Sequence, residues 1–491
     1  MIDSHALWTF RPQRDSIIGQ LVAPPPAPVV MKPRPLAAPA SRREFLQTSA
    51  LATGSLLFTR AASRAADAAK PANSRLQIAL IGVGGRGQAA LTALQGEHIV
   101  AFCDVDHVRG REQVAANRVA SGALARFPDA RWFHDYREMF AQMSDQIDAV
   151  VVSVPDFMHY AIGMAVLRQR KHLYMEKPLC RCITEVRALR AAAAEAGVVT
   201  QMGNQGRAAE GIRLAREWVQ AGLLGRVHTV HAWNYTVGGS YSLGLGPNPD
   251  ATDETPPPSL RYDLWQGVAP ERPYRKIRSH SSWRGYSDYG TGCLGDWACH
   301  QLDAAVYALD LGAPLSVEPA TTPLPPGTFP TTNTLHYAFA ARGEQPPVSV
   351  RWFDGGILPP LPVEGFTFNN AGGSIFYGDK GIMAVGSHSS SARLLPDARM
   401  AELRSSLPPK TIPRLIGGPH VEWVNAIRAG ARCGSDFQRA APLAEIALLG
   451  VAAIRAQTRL EWDATAGRVT NAPAAQRFIG PGYDYRPGWG V

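Results

Sequence analysis

The stretch from Leu76 to Asp104 constrains this chain more than any other. Leu76 to Ile81 reads as a buried strand, and Gly82, Gly84 and Gly87 follow at G-x-G-x-x-G spacing. Ala89 to Leu94 reads as helix, and a second apolar strand from His98 ends at Cys103, just before Asp104. Each part has a mechanical reason. The first glycine permits a tight turn, and the second lets a pyrophosphate approach the backbone. The third lets helix and strand pack closely, with the helix N-terminus facing the phosphates. An acid about 20 residues beyond the glycines can hold a ribose hydroxyl. The pattern predicts a dinucleotide site built from Gly82, Gly84, Gly85, Arg86, Gly87 and Asp104. The Asp104 carboxylate would repel a 2′-phosphate and so favours NAD. Arg109 and Arg111 nearby leave NADP open.

At 491 residues the chain is long enough for two domains with large cores. Its formal charge of +9 is unevenly spread. Residues 1–70 hold nine Lys and Arg against four Asp and Glu, so the remainder carries only +4. That balance, with no basic stripe, excludes a nucleic-acid reading. The six cysteines lack zinc or thioredoxin spacing and read as free buried thiols. Residues 1–70 read as a leader. Ser41-Arg42-Arg43-Glu44-Phe45-Leu46, then an apolar run from Thr48 to Thr59 and small residues from Ala61 to Ala69, resembles a twin-arginine export signal. The apolar run is too short for a stable membrane span. A start at Met31 would leave a conventional short basic region. Such substrates travel folded with their cofactor loaded, so a periplasmic or otherwise exported protein with tightly held NAD is expected.

From residue 71 to 205 strands and helices alternate, which predicts an α/β domain with a parallel sheet. Strands are expected at Leu76–Ile81, Ile99–Cys103, Ala149–Val154, His172–Met175 and Val198–Met202. Ligands in such sheets sit at the carboxyl ends of strands. Three groups fall there: Pro155 to His159, Glu176-Lys177-Pro178, and Gly203-Asn204-Gln205. From 206 to 465 strand-like runs separated by turns predict a larger, mostly antiparallel sheet with added helices. Residues 466–491 read as a surface-wrapping tail.

Two constellations carry chemistry. Pro178 restricts Lys177 to an extended backbone, and a fixed lysine beside a nicotinamide can steady a developing alkoxide. Leu294 to Asp310 reads as one helix. At about 100° per residue Asp296, His300, Asp303 and Tyr307 share an arc nearly opposite the apolar stripe. Asp296 and His300, four apart, can meet as a base with a stabilised imidazolium. No metal site is expected, because such a pair needs further ligands. In the aromatic segment before this helix, Trp265 and Trp283 are the candidates for stacking on a sugar ring.

Together these parts resemble the Gfo/Idh/MocA oxidoreductase family. The resemblance rests on Gly82-x-Gly84-x-x-Gly87, Pro155 with His159, Met175-Glu176-Lys177-Pro178, and Gly290-Thr291-Gly292 leading into Asp296 and His300. It implies a Rossmann domain followed by a domain with a large open sheet, one face of which is often an oligomer interface. A homo-oligomer is therefore expected. It implies hydride transfer between a sugar or polyol carbon and the nicotinamide. His300 would take the hydroxyl proton, Lys177 would steady the oxygen, and Asp296 would orient the substrate or the histidine. Pro155, His159, Glu176 and Lys177 join the cofactor set, and Asn204, Trp265, Trp283 and Asp303 form the substrate set. Tyr289 or Tyr307 remains an alternative acid/base group. Glycoside hydrolase family 109 resembles the same fold and gives a second function. There, transient oxidation at carbon 3 acidifies the carbon 2 proton, the glycosidic bond eliminates, and hydride returns.

Overall fold

A computed structural model describes residues 75–116, 127–236, 241, 254–280 and 282–491. The proposed leader lies outside the described residues. The first sheet contains six parallel strands: β1 (Gln77–Ile81), β2 (His98–Cys103), β3 (Arg131–Phe133), β4 (Ala149–Val152), β5 (His172–Met175) and β6 (Thr200–Met202). Their order is β3-β2-β1-β4-β5-β6. Helices cover both faces, so the strands read as unbroken apolar runs; Ala149 to Val152 are all buried. The order reverses between β1 and β4, which opens a crevice at the carboxyl ends of the strands.

The second sheet has nine strands: β7 (Val227–Asn234), β8 (Ser316–Thr321), β9 (Asn333–Phe339), β10 (Val348–Asp354), β11 (Gly373–Gly378), β12 (Ile382–Gly386), β13 (Ala392–Leu395), β14 (Leu460–Asp463) and β15 (Arg468–Val469). The order is β13-β12-β11-β7-β10-β9-β8-β14-β15. Only β7 and β10 pair in parallel. Side chains alternate across it. Val230, Ala232, Val350, Trp352 and Phe376 join the main core, while Trp233, Phe353 and Ile375 form a separate cluster on the other face.

Packing does not follow the order of the sequence. Trp423 and Val424, on the late helix Gly418–Ala429, are buried in one cluster with Ile78, Leu80 and Tyr174 of the first sheet. The 20-residue helix Phe437–Ala456 is apolar and long enough to cross a membrane, yet it is a core helix against Ile183–Ala196 and Gly292–Gln301. All six cysteines are free and buried. The stretch expected as one helix from Leu294 to Asp310 is two, Gly292–Gln301 and Asp303–Ala308. The first is buried almost throughout, so the expected polar arc does not face solvent.

Candidate active site

The carboxyl ends of β1, β2, β4 and β5 meet around a cavity of about 280 Å³. Gly82, Gly84, Gly85, Arg86, Asp104, Pro155, Glu176 and Lys177 line it, with Trp265 and Trp283 in its wall. A Cβ at Gly87 would lie 2.1 Å from the Gly82 carbonyl oxygen, so only glycine lets helix Gly87–Ala93 start so close to β1. A Cβ at Gly85 would meet nothing within 4 Å, so the loop is open on its outer side. The Gly85 amide points at an acceptor, donating to Gln113 Oε1 at 2.6 Å. Asp104 accepts from the Val83 and Asp106 amides, both at 3.0 Å. Burial pushes its pKa up, and these amides oppose that. An open glycine loop beside a held carboxylate fits a dinucleotide.

Lys177, at the end of β5, faces away from its neighbour Glu176. Glu176 pairs with Arg86 at 3.2 Å. The Lys177 ammonium donates to the Asp296 carboxylate and, at 3.1 Å, to the Asp296 main-chain oxygen. Tyr241 donates to the other Asp296 oxygen, and Arg284 lies 3.5 Å from the first. Burial alone would raise the Asp296 pKa. Lys177 and Arg284, with the hydrogen bonds from Lys177 and Tyr241, outweigh it and hold the carboxyl below the usual range.

The helix carrying Asp296 is placed by its entry turn. Gly292 has φ +66, and a Cβ there would strike the Phe329 ring at 2.8 Å. Thr291 Oγ1 donates to Asp156 Oδ2 at 2.8 Å, tying this turn to the loop after β4. Asp156 lines the cavity. Burial first, and the Asp296 charge second, raise its pKa to about 7.

His300 follows one helical turn after Asp296 but no hydrogen bond joins them. The expected Asp296–His300 pair is therefore corrected: Lys177, Tyr241 and Arg284 are the stronger, charge-assisted partners of that carboxylate. His300 packs instead near His388, with ring centroids 4.3 Å apart, and near Trp297 at 5.8 Å. Burial, then Lys177 and His388, push its pKa well down. Its Nδ1 has no hydrogen-bond partner among the described residues.

Three further expectations change. His159 does not line the cavity. It is fully buried, Nδ1 2.7 Å from the Pro178 oxygen and Nε2 2.9 Å from the Val154 oxygen, so it braces the loops carrying Pro155 and Lys177. Asn204 and Asp303 do not form a substrate surface. Both are fully buried; Asn204 Nδ2 donates to Asp303 Oδ2 at 2.8 Å, and Arg207 pairs with the same carboxylate. Ser435 Oγ closes the network onto Asn204 at 2.5 Å. Of the alternative tyrosines, Tyr289 is buried against Phe157 and Trp265, and the Tyr307 ring lies under Arg207 and Arg216.

Trp265 and Trp283 line the cavity, although both are mostly buried. Trp265 packs against Phe157 and Tyr262, and the Arg284 guanidinium lies 4.3 Å over Trp283. Asp156, Tyr241, Arg284 and His388 were not among the expected site residues. Asp156 stands inside the strand-end group Pro155 to His159, and Arg284 inside the aromatic, arginine-rich segment. No motif marks Tyr241 or His388.

Comparison with known proteins agrees with this architecture. The sequence model of the oxidoreductase family NAD-binding Rossmann fold matches residues 76–204, and that of the family's C-terminal α/β domain matches 210–341. A glycosyl hydrolase family 109 protein of Solibacter usitatus is 32% identical over 154 residues, 30% of this chain and 34% of that protein. Levoglucosan dehydrogenase of Pseudarthrobacter phenanthrenivorans is 25% identical over 234 residues, 47% of this chain and 50% of that enzyme. The chain thus spans half or less of these curated relatives. The WlbA dehydrogenase of Bordetella pertussis, solved with NADH and UDP-GlcNAcA, superposes with a TM-score of 0.53 at 17% identity, covering 79% of this chain and 99% of that one, a likeness of fold. The two sequence models together match more than half of the chain, which belongs to the Gfo/Idh/MocA oxidoreductase family, with an NAD-binding Rossmann domain first.

Proposed function

We propose that this protein is an exported oxidoreductase that moves hydride between a hydroxyl-bearing carbon of a sugar, polyol or glycoside and a tightly held NAD. The single observation that carries the reading is the buried Lys177–Asp296 pair, whose lysine lines the dinucleotide cavity. The nicotinamide, when bound, supplies the hydride acceptor or donor. The chain's own residues handle the oxygen and the proton. An ammonium has three N–H donors. Asp296 takes two of those on Lys177, and the third is left for a substrate oxygen. Asp296 holds the Lys177 ammonium in place, so a hydrogen-bond donor is preorganised where negative charge develops on that oxygen. His300 is kept neutral by burial and by Lys177, which leaves one ring nitrogen an acceptor beside the lysine. Asp156, which lines the cavity and has a pKa raised to about 7, is the group there able to take or return the hydroxyl proton.

NAD over NADP is part of the proposal and is supported by Asp104 in the cavity wall. Sugar and inositol dehydrogenases among the relatives support the substrate class. The family 109 relatives favour a second reading, a glycosidase that oxidises its substrate transiently and ends with no net redox. Incubating NAD-loaded protein with sugars and aryl glycosides separates the two. A lasting rise in reduced-nicotinamide absorbance is expected. Sustained aglycone release without that rise identifies the glycosidase.

Export is proposed from Ser41 to Leu46 and the apolar run after them. N-terminal sequencing of periplasmic protein is expected to begin beyond Ala61; a full-length chain confined to the cytoplasm contradicts it. Self-association is proposed from the family's open second sheet, and light scattering is expected to give a mass above one chain.

A further inference from the structure

The segment from Pro481 to Trp489 reaches the dinucleotide cavity at Trp489 and is anchored to two parts of the chain. Toward the first sheet, Tyr485 donates to Glu185 at 2.6 Å, and Arg137 donates to the Gly488 oxygen at 3.1 Å. Toward the other wall, Arg486 donates to the Gly267 and Asp263 carbonyls at 2.8 and 2.6 Å, and Tyr483 to the Asp288 carbonyl at 2.9 Å. Trp489 lines the cavity itself, with the Arg137 guanidinium 4.1 Å over its ring.

The position of Trp489 along the cavity follows from topology. Arg137 adjoins Asp135 and Tyr136, which form the cavity wall after β3. In the order β3-β2-β1-β4-β5-β6, the end of β3 neighbours Asp104 at the end of β2. Lys177, at the end of β5, lies across β1 and β4. Trp489 therefore sits at the end where an acid holds the adenosine ribose, away from the Lys177–Asp296 pair. An indole there offers a flat face to a purine and a cap against water.

We propose that residues 481–489 strap the dinucleotide into its cavity, with Trp489 against the adenosine half, so that cofactor exchange requires the segment to lift. The proposal rests on the NAD-binding assignment and explains how the protein keeps one cofactor through successive turnovers. The anchors are individually few. Most of their acceptors are main-chain carbonyls, and Tyr483, Tyr485 and Trp489 pack on the core from outside, so lifting the segment breaks these contacts and leaves both sheets intact.

The test loads the full chain with NADH, chases with excess NAD and follows the loss of NADH fluorescence. Wild type, Trp489→Ala, Arg137→Ala and a chain ending at Gly480 are compared, with circular dichroism as the check on folding. Release is expected to be about tenfold faster in the shortened chain, with a smaller acceleration in both point variants. The point variants keep the test valid should the shortened chain misfold. Unchanged release in Trp489→Ala and Arg137→Ala overturns the strap. A folded wild type that binds no NADH overturns the dinucleotide assignment on which it rests, a distinct result.

Discussion

Two buried ion pairs, seven residues apart on consecutive helices, show how similar chemistry serves different ends. Asp296 pairs with Lys177, and Asp303 pairs with Arg207. Both carboxylates are nearly inaccessible. Their partners differ. Lys177 stands at the carboxyl end of β5, lines the cavity, and has one donor left after its two bonds to Asp296. Arg207 spends its guanidinium on Asp303, in a network that Asn204 and Ser435 close. One pair is open to a ligand, and the other fastens β6, the helix Asp303–Ala308 and the start of the helix Phe437–Ala456 together. Burial, charge and position after a strand's carboxyl end do not separate them; contact with the cavity does.

Mutations sharpen that contrast. The largest effect on turnover short of deleting the lysine is expected from Asp296→Asn, which removes the charge that holds Lys177. Turnover is expected to fall about a hundred- to a thousandfold in steady-state kinetics, with NAD still bound. Arg207→Ala leaves the Asp303 charge buried and alone. Denaturant unfolding is expected to show a loss of about 3–5 kcal/mol. Asp156→Asn gives a pH signature instead. The folded protein holds the Asp156 proton to about pH 7, because burial and then Asp296 raise its pKa. The unfolded chain releases it near the ordinary value of about 4. That stabilisation is complete below pH 4 and is lost as pH rises through 7. The variant lacks the loss, so its stability relative to wild type is expected to rise between pH 4 and 7, by up to about 4 kcal/mol. Ser435→Ala, at the rim of the Arg207 network, is expected to cost about 1 kcal/mol and to leave turnover unchanged.

The first sheet was largely legible because parallel strands buried on both faces give unbroken apolar runs, as in Gln77–Ile81 and Ala149–Val152. β3 was not, because a three-residue strand carries no pattern. β8 was not either, since Pro319 sits inside it opposite Leu335. In the site, residues at strand ends could be placed from order alone: the glycine loop, Asp104, Pro155, Glu176 and Lys177. The helix from Leu294 misled, because periodicity assigns faces on one continuous helix and this one breaks before Asp303. Its arc grouped Asp296, His300 and Asp303, which meet three different sets of partners. Those partners, Tyr241, Arg284, His388 and Arg207, come from other segments of the chain, and only folding brings them in.

The most direct test is single-turnover reduction of bound nicotinamide by NAD-loaded Lys177→Ala, using a sugar or polyol that reduces the wild type, with bound NAD counted in the same sample. A full complement of NAD, an unchanged fold, and reduction slowed about a thousandfold or more are expected. Reduction at the wild-type rate would contradict that expectation, and would move the chemistry away from the Lys177–Asp296 pair.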